Sequence, residues 1–285
     1  MSSGPFLLLL LIISAVPSLF AGTIFGVYSG GVWSFRTTPS AGAPDVGPFA
    51  FGAPGQTPIT GDWSGSGQSG IGVFDPATTT WYLRNSISAG APDIGPFAFG
   101  SPNWKPVTGD WTGSGHSGIG VVDPSTTTWY LRNNPSAGAP DIGPFVFGAP
   151  NWTPVTGDWA GSGHTGAGVF DPGTATWYLR NSDAAGPPDF TPFVFGAPNW
   201  DPITGDWTGS GHTGIGVFDP STATWYLRET LSAGPPDFIF QFGTPGGIPV
   251  TGEISAAASP EPSTLLLLML GFAAVLTLRR SRLSS

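Results

Sequence analysis

The sequence predicts an all-β, five-bladed β-propeller of ~48-residue, four-stranded repeats, closed by a composite blade made from both ends of the array. Three observations predict it. The tripeptide GDW recurs at Gly61, Gly109, Gly157 and Gly205, and WYLR recurs at Trp81, Trp129, Trp177 and Trp225, each 48 residues after the last. Each unit reads as four short strands, the pattern of a propeller blade. The array begins and ends in fragments that together make one more blade.

Composition supports a folded, turn-rich β protein. The 285 residues include 44 Gly and 31 Pro, which would break any helical bundle. Aromatics make up 13% and include 12 Trp, which disordered chains lack. Charged residues are only 9%, so little of the chain is solvated ionic surface. Zero Cys excludes a disulfide scaffold, a thiol nucleophile and a thiolate metal site. With 18 acids against nine Lys and Arg, phosphate would be repelled, which argues against a nucleic-acid partner.

Residues 1–21 read as a secretory signal peptide: an apolar run from Phe6 to Phe20, then Ala21-Gly22, with cleavage near Ser18 or Ala21. Met1 to Pro5 holds no Lys or Arg, so only the amino terminus supplies positive charge there. The propeller is predicted over 22–254. Four whole units cover 53–100, 101–148, 149–196 and 197–243.

In the unit 101–148, Lys105 to Asp110 is the first extended stretch, followed by a Gly/Ser-rich turn. Gly118 to Asp123 alternates Gly with aliphatics, a strand approached closely on one side. Pro124-Ser125-Thr126 turns the chain, and Thr127 to Arg132 is a β-branched and aromatic strand. Asn133 to Pro144 is read as a loop and Phe145 to Gly148 as the fourth strand. The N-terminal fragment 22–52 matches strands two to four, and 248–254 (IPVTGEI) matches strand one, with Glu253 where the other units have Asp. A blade shared between both ends fastens the ring and removes open sheet edges. Aliphatics are few, so the aromatic rings must fill the wedge between blades.

Residues 255–285 form a separate tail. It runs Ser259-Pro260-Glu261-Pro262-Ser263, then an apolar stretch 264–278, then Arg279-Arg280-Ser281-Arg282. The apolar stretch predicts a short transmembrane helix with the basic cluster on the cytoplasmic side. This order of parts resembles the PEP-CTERM sorting signal of bacterial surface and exopolysaccharide-associated proteins. The resemblance implies recognition by an exosortase, with processing near Pro260, Glu261 and Pro262 and with Arg279, Arg280 and Arg282 as the terminal cluster. Residues 22–262, the exported part up to the Pro-Glu-Pro motif, hold six basic side chains against all 18 acids, a net charge of −12.

The segments GDWSGSGQSGIGVF (Gly61 to Phe74) and GDWTGSGHSGIGVV (Gly109 to Val122) resemble the bacterial FG-GAP/VCBS-type propeller repeat, over about 230 residues. In that family an acidic loop often binds Ca²⁺. Here each loop keeps one carboxylate, Asp62, Asp110, Asp158 or Asp206, and the other carboxylate positions hold Ser, Thr, Ala or Gly. One carboxylate with hydroxyls is a poor divalent-cation site. The expectation is therefore no tight Ca²⁺ binding, no cofactor, and loops held by hydroxyl-to-backbone bonds.

The remaining polar residues read as copies. His116, His164 and His212 share one repeat position, where the first unit has Gln68. Asp75, Asp123, Asp171 and Asp219 precede Pro in a turn, while Asp45, Asp93, Asp141, Asp189 and Asp237 follow Pro in the long loop. These acids suit turn capping and pairing with the single Arg of each unit (Arg36, Arg84, Arg132, Arg180, Arg228). Catalysis usually needs one asymmetric constellation, so no catalytic residue is assigned and the protein is expected not to be an enzyme. The alternative is a polysaccharide-modifying enzyme using acids such as Asp62 or Asp110.

Trp104, Trp152 and Trp200, with Asn103, Asn151 and Asn199, sit in the loops joining one blade to the next. Exposed Trp rings stack on sugars, so these six residues are the candidate ligand-binding set; buried, they would only fill space. The function expected is an exported, cell-surface or exopolysaccharide-associated binding or scaffold protein. Its expected partners are an exosortase, the membrane through the tail, and extracellular polysaccharide. A purely structural envelope protein with no ligand is the other alternative.

Overall fold

The computed structural model describes residues 22–254. The expected signal peptide 1–21, the sorting residues and the expected transmembrane stretch 264–278 lie outside them. Among the described residues every regular element is a β-strand, and no helix is long and apolar enough to cross a membrane.

Twenty strands form five antiparallel four-stranded sheets. The four whole blades comprise β4(Thr57–Gly61) to β7(Ile94–Ala98), β8(Lys105–Gly109) to β11(Ile142–Val146), β12(Thr153–Gly157) to β15(Phe193–Val194), and β16(Asp201–Gly205) to β19(Phe238–Gln241). Between them lie β5(Gly70–Asp75), β6(Thr80–Arg84), β9(Gly118–Asp123), β10(Thr128–Arg132), β13(Gly166–Asp171), β14(Thr176–Leu179), β17(Gly214–Asp219) and β18(Thr224–Arg228). The fifth sheet has the order β20-β1-β2-β3, from β1(Gly22–Ser29), β2(Val32–Arg36), β3(Val46–Ala50) and β20(Ile248–Ile254). This is the composite blade the two fragments predict. Gly22 pairs with Ile254 and Tyr28 with Ile248 across its junction.

The fourth strand departs from the sequence reading. It starts at Ile142 rather than Phe145, and Gly143-Pro144 lies within it. The ladder absorbs the pair with a register shift between Trp129 and Leu131, repeated at Trp33/Phe35 and Trp81/Leu83. A proline is tolerated there because the fourth strand is the outer edge of the blade.

Two rings of hydrogen bonds tie the blades at the centre. The Thr108, Thr156 and Thr204 hydroxyls each donate to the preceding inner-strand carbonyl of Thr60, Thr108 and Thr156 at 2.8 Å. Thr251 continues to Thr204 at 2.6 Å, and Thr60 closes the circle onto the Thr251 carbonyl. Just above, the amide of Asp62 donates to the Ser117 hydroxyl while the Ser117 amide donates to the Asp62 carbonyl. Asp110 with Thr165, Asp158 with Thr213 and Glu253 with Ser69 repeat this exchange.

The core is divided into five junctions. In one, Ile59, Trp63, Phe74, Trp81, Leu83 and Phe99 of one blade pack on Ile119 and Val121 of the next. Phe25 and Val27 of the composite blade pack on Trp225 and Phe240, and its Trp33 and Phe35 pack with Ile71 and Val73, so both sides of the shared blade are sealed. The strand-two glycines make room for side chains of the flanking strands in their own blade: a Cβ on Gly120 would lie 2.5 Å from the Leu131 side chain and 2.8 Å from Val107.

Candidate functional site

The 12 Trp fall into three structural sets. Trp33, Trp81, Trp129, Trp177 and Trp225 are fully buried, and each indole N–H donates to a carbonyl at the end of the fourth strand, at 2.8–3.1 Å (Phe51, Phe99, Phe147, Phe195, Phe242). Trp63, Trp111, Trp159 and Trp207 are buried and donate to the second strand at 3.0–3.3 Å. Buried indoles need such a partner, and both sets have one. The third set is the candidate one. Trp104, Trp152 and Trp200 are only half-buried, and each lies flat on a tyrosine of its own blade. Trp104 stacks on Tyr130 (centroids 4.8 Å, 14°), Trp152 on Tyr178 (4.5 Å, 21°) and Trp200 on Tyr226 (4.7 Å, 14°).

The asparagines hold these rings in place rather than reaching outward with a specific contact. Asn103, Asn151 and Asn199 have φ of 64°, 68° and 64°, the left-handed region that Asn tolerates. Their amides donate to Pro76, Pro124 and Pro172 of the preceding hairpin turn at 2.8–2.9 Å. In the two junctions without Trp, Gly55 and Gly246 take the same conformation, with φ of 86° and 77°. So Asn serves the turn, and its side chain stays exposed beside the Trp. Trp104, Tyr130, Phe99 and Pro140 line a groove of about 320 Å³. The corresponding groove at the composite blade, about 380 Å³, has Gln56 in place of the Trp, beside Tyr82.

The two faces of the ring differ. First and third strands of a blade run the same way, so the Asp loop and the long Pro/Gly loop share one face. The hairpin turns and the Asn-Trp loops share the other. On the first face a cavity of about 460 Å³ at the channel mouth is lined by Asp62, Asp110, Asp158, Asp206, Glu253, His116 and His212. The carboxylates there are already committed. Asp62 accepts amides of Ser64, Ser66 and Gly67 at 3.2, 3.0 and 2.6 Å. Asp158 accepts Ser162 and Gly163 at 2.8 and 2.6 Å, and Asp206 accepts Ser210 and Gly211 at 2.8 and 2.7 Å. The expected hydroxyl-to-backbone bonds are present, from the amides of Gln68, His164 and His212 to Ser66, Ser162 and Ser210 at 3.3 Å. More bonds run from backbone amides, and from the Ser and Thr hydroxyls, into the aspartate, so the aspartate organises the loop.

Burial pulls the Asp110 carboxyl upward, but the amides of Ser114, Gly115 and Thr112 outweigh it and leave it below the usual carboxylate range. Glu253 differs. It keeps solvent access at the rim, yet the surrounding protein mass, followed by the Asp206 charge, pushes it up to about 7. Among the described residues no group of three His, Asp or Glu is placed to hold a metal ion.

The turn and loop acids act locally. Asp123 accepts the Ser125 amide at 2.9 Å, and Asp75, Asp171 and Asp219 repeat the turn at Ala77, Gly173 and Ser221. Asp45, Asp93 and Asp141 lie 3.5, 3.9 and 3.9 Å from Arg36, Arg84 and Arg132. The three histidines do not behave alike. The imidazoles of His116 and His212 fill the space over Gly65 and Gly161 of the preceding blade, whereas His164 turns to Asp183, 3.2 Å away. Asp183 was missed by the sequence reading. The signal is there: Pro39, Ile87, Pro135 and Leu231 stand at its position in the other blades.

With this geometry in view, comparison with known proteins adds one finding. Residues 260–282 match the PEP-CTERM protein-sorting motif. No curated protein and no solved structure matches the chain. The motif is the recognition signal of an exosortase, and it marks this protein as exported, envelope-associated and processed by that enzyme. The likeness of the repeats to FG-GAP/VCBS sequences rests on their glycine pattern alone.

Proposed function

We propose that the protein is a non-enzymatic binding module of the cell surface, which uses its three Trp-bearing blade junctions to hold extracellular polysaccharide. The observation that carries this reading is the third Trp set. Nine Trp are buried with their indole N–H groups bonded to backbone. Trp104, Trp152 and Trp200 instead are half-buried at the edge of the junction cores, each stacked on a tyrosine as an aromatic plate with an exposed Asn beside it. A rigid plate loses little side-chain entropy when a sugar ring stacks on it. Three such plates in successive junctions give a repeating polymer several points of attachment, and weak single contacts then add through multivalency.

A net charge of −12 on the exported part favours neutral or cation-bearing polymers over polyanions. Export through the PEP-CTERM signal supports the same reading, because it places the module where such polymers are. The test is titration of the exported protein with a polysaccharide panel, followed by Trp fluorescence, with and without Ca²⁺. Saturable binding that is lost in the Trp104, Trp152 and Trp200 variants supports the reading. Absence of binding to every polymer leaves a structural envelope role.

A further inference from the structure

Blade three, β12 to β15, lacks one of the bonds that hold the long loop in the other blades. In the composite blade Arg36 bonds the Ser40 hydroxyl at 2.6 Å. Arg84, Arg132 and Arg228 reach Ser88, Ser136 and Ser232 in the same way, at 3.2, 3.1 and 3.1 Å. Blade three has Ala184 at that position, so Arg180 keeps its bond to the Pro187 carbonyl without a serine partner. Its outer strand is also the shortest, only Phe193–Val194.

One residue earlier stands Asp183, where the other blades carry Pro or an aliphatic. Its side chain is 5% exposed and 3.2 Å from Nε2 of His164, which is 32% exposed. The two side chains lie at salt-bridge distance without hydrogen-bond alignment, and both carboxylate oxygens otherwise lack a partner. Residues Asp183 to Ala185 form one wall of a groove of about 750 Å³, whose other wall is Thr128, Tyr130 and the β11 segment Gly143 to Val146. We infer that the buried Asp183 carboxyl, set beside His164, is a pH-responsive latch that stands in for the Arg–Ser contact and holds loop 181–190 on its own blade.

The sign follows from burial. Burial in the closed loop, only partly offset by His164, pushes the Asp183 carboxyl up to about 6. An opened loop returns it to water, near the ordinary value of 3.8. The closed loop therefore binds the extra proton: acid favours closure, and raising pH through about 6 loosens the latch. The other titratable groups around it are Tyr130 from β10 and, on its own loop, Arg180 and Asp189. Arg180 is bonded to the Pro187 carbonyl, and Asp189 accepts the Asn181 amide at 2.8 Å.

Hydrogen exchange on the exported protein tests this. The rate for peptide 181–192 is divided at each pH by that of the equivalent peptide 133–144, so the intrinsic pH dependence of exchange cancels. The ratio should rise by about threefold or more from pH 5 to pH 8 in the wild type. It should stay flat in D183N, which cannot ionise, and flat and low in D183L, which restores the residue type of Leu231. A pH-independent ratio in the wild type, or a rise that survives in D183N, overturns the latch.

Discussion

The Thr251 hydroxyl, in the last strand of the propeller, donates to the carbonyl of Thr204 at 2.6 Å, although 47 residues separate them. The Thr251 carbonyl in turn accepts the Thr60 hydroxyl. These two bonds carry the threonine circle across the chain junction. A β-strand contributed from the far end of the sequence does what a covalent closure would do: it removes the open edge between the last blade and the first.

Closure should therefore dominate stability. Ending the chain before Ile248 removes the inner strand of the composite blade and exposes Val27 and Phe25 of β1. Thermal unfolding of that truncation should lose its cooperative transition. Thr251→Val keeps the strand and removes one hydrogen bond, costing about 1 kcal/mol. A truncated chain that melts like the full one would show that the ring does not depend on the shared blade.

The Trp sets should separate by stability. Trp129→Ala empties a fully buried site and should cost about 3–5 kcal/mol in denaturant unfolding. Trp152→Ala removes a half-buried ring from one face of Tyr178 and should cost about 1 kcal/mol. Asn151→Gly should be nearly neutral, because Gly55 and Gly246 hold the same turn, whereas Asn151→Ala should cost about 1 kcal/mol for its positive φ. Equal losses at Trp129 and Trp152 would place both rings in the core.

The aspartate loops should be indifferent to Ca²⁺ and sensitive to acid. Calorimetry on the exported protein should give no micromolar Ca²⁺ affinity, since the Asp62, Asp110, Asp158 and Asp206 oxygens already accept two or three amides each. Asp110 is held below its ordinary value, so its contribution is present above about pH 4 and lost as pH falls through its lowered value. Asp110→Ala should cost about 1 kcal/mol at pH 7 and progressively less as pH falls through the lowered value. A cost that does not change with pH would mean the loop is held by something other than the carboxylate.

Much of this architecture is legible in the residues because duplication writes it five times. The strands GIGVVD and TWYLR and the closing fragment IPVTGEI fall where their patterns place them. The start of the fourth strand is not legible, since Gly143-Pro144 carries the turn signal of a loop and becomes a strand only as an outer edge with a register shift. The threonine circle is hidden as well: Thr60, Thr108, Thr156, Thr204 and Thr251 read as ordinary β-branched strand residues until the blades are brought round. Reading every acid as a copy conceals Asp183, Asp201 and Glu229, which are not. Asp183 stands out only when the five loops are compared position by position.

The most direct test of the account is the affinity of the exported protein for its best polysaccharide as the plates are removed one at a time. Trp104→Ala, Trp152→Ala and Trp200→Ala should each weaken binding by about tenfold, and the triple variant should abolish it while the fold stays intact by circular dichroism. Unchanged affinity in the triple variant would contradict the account and return these rings to a role in holding the blades together.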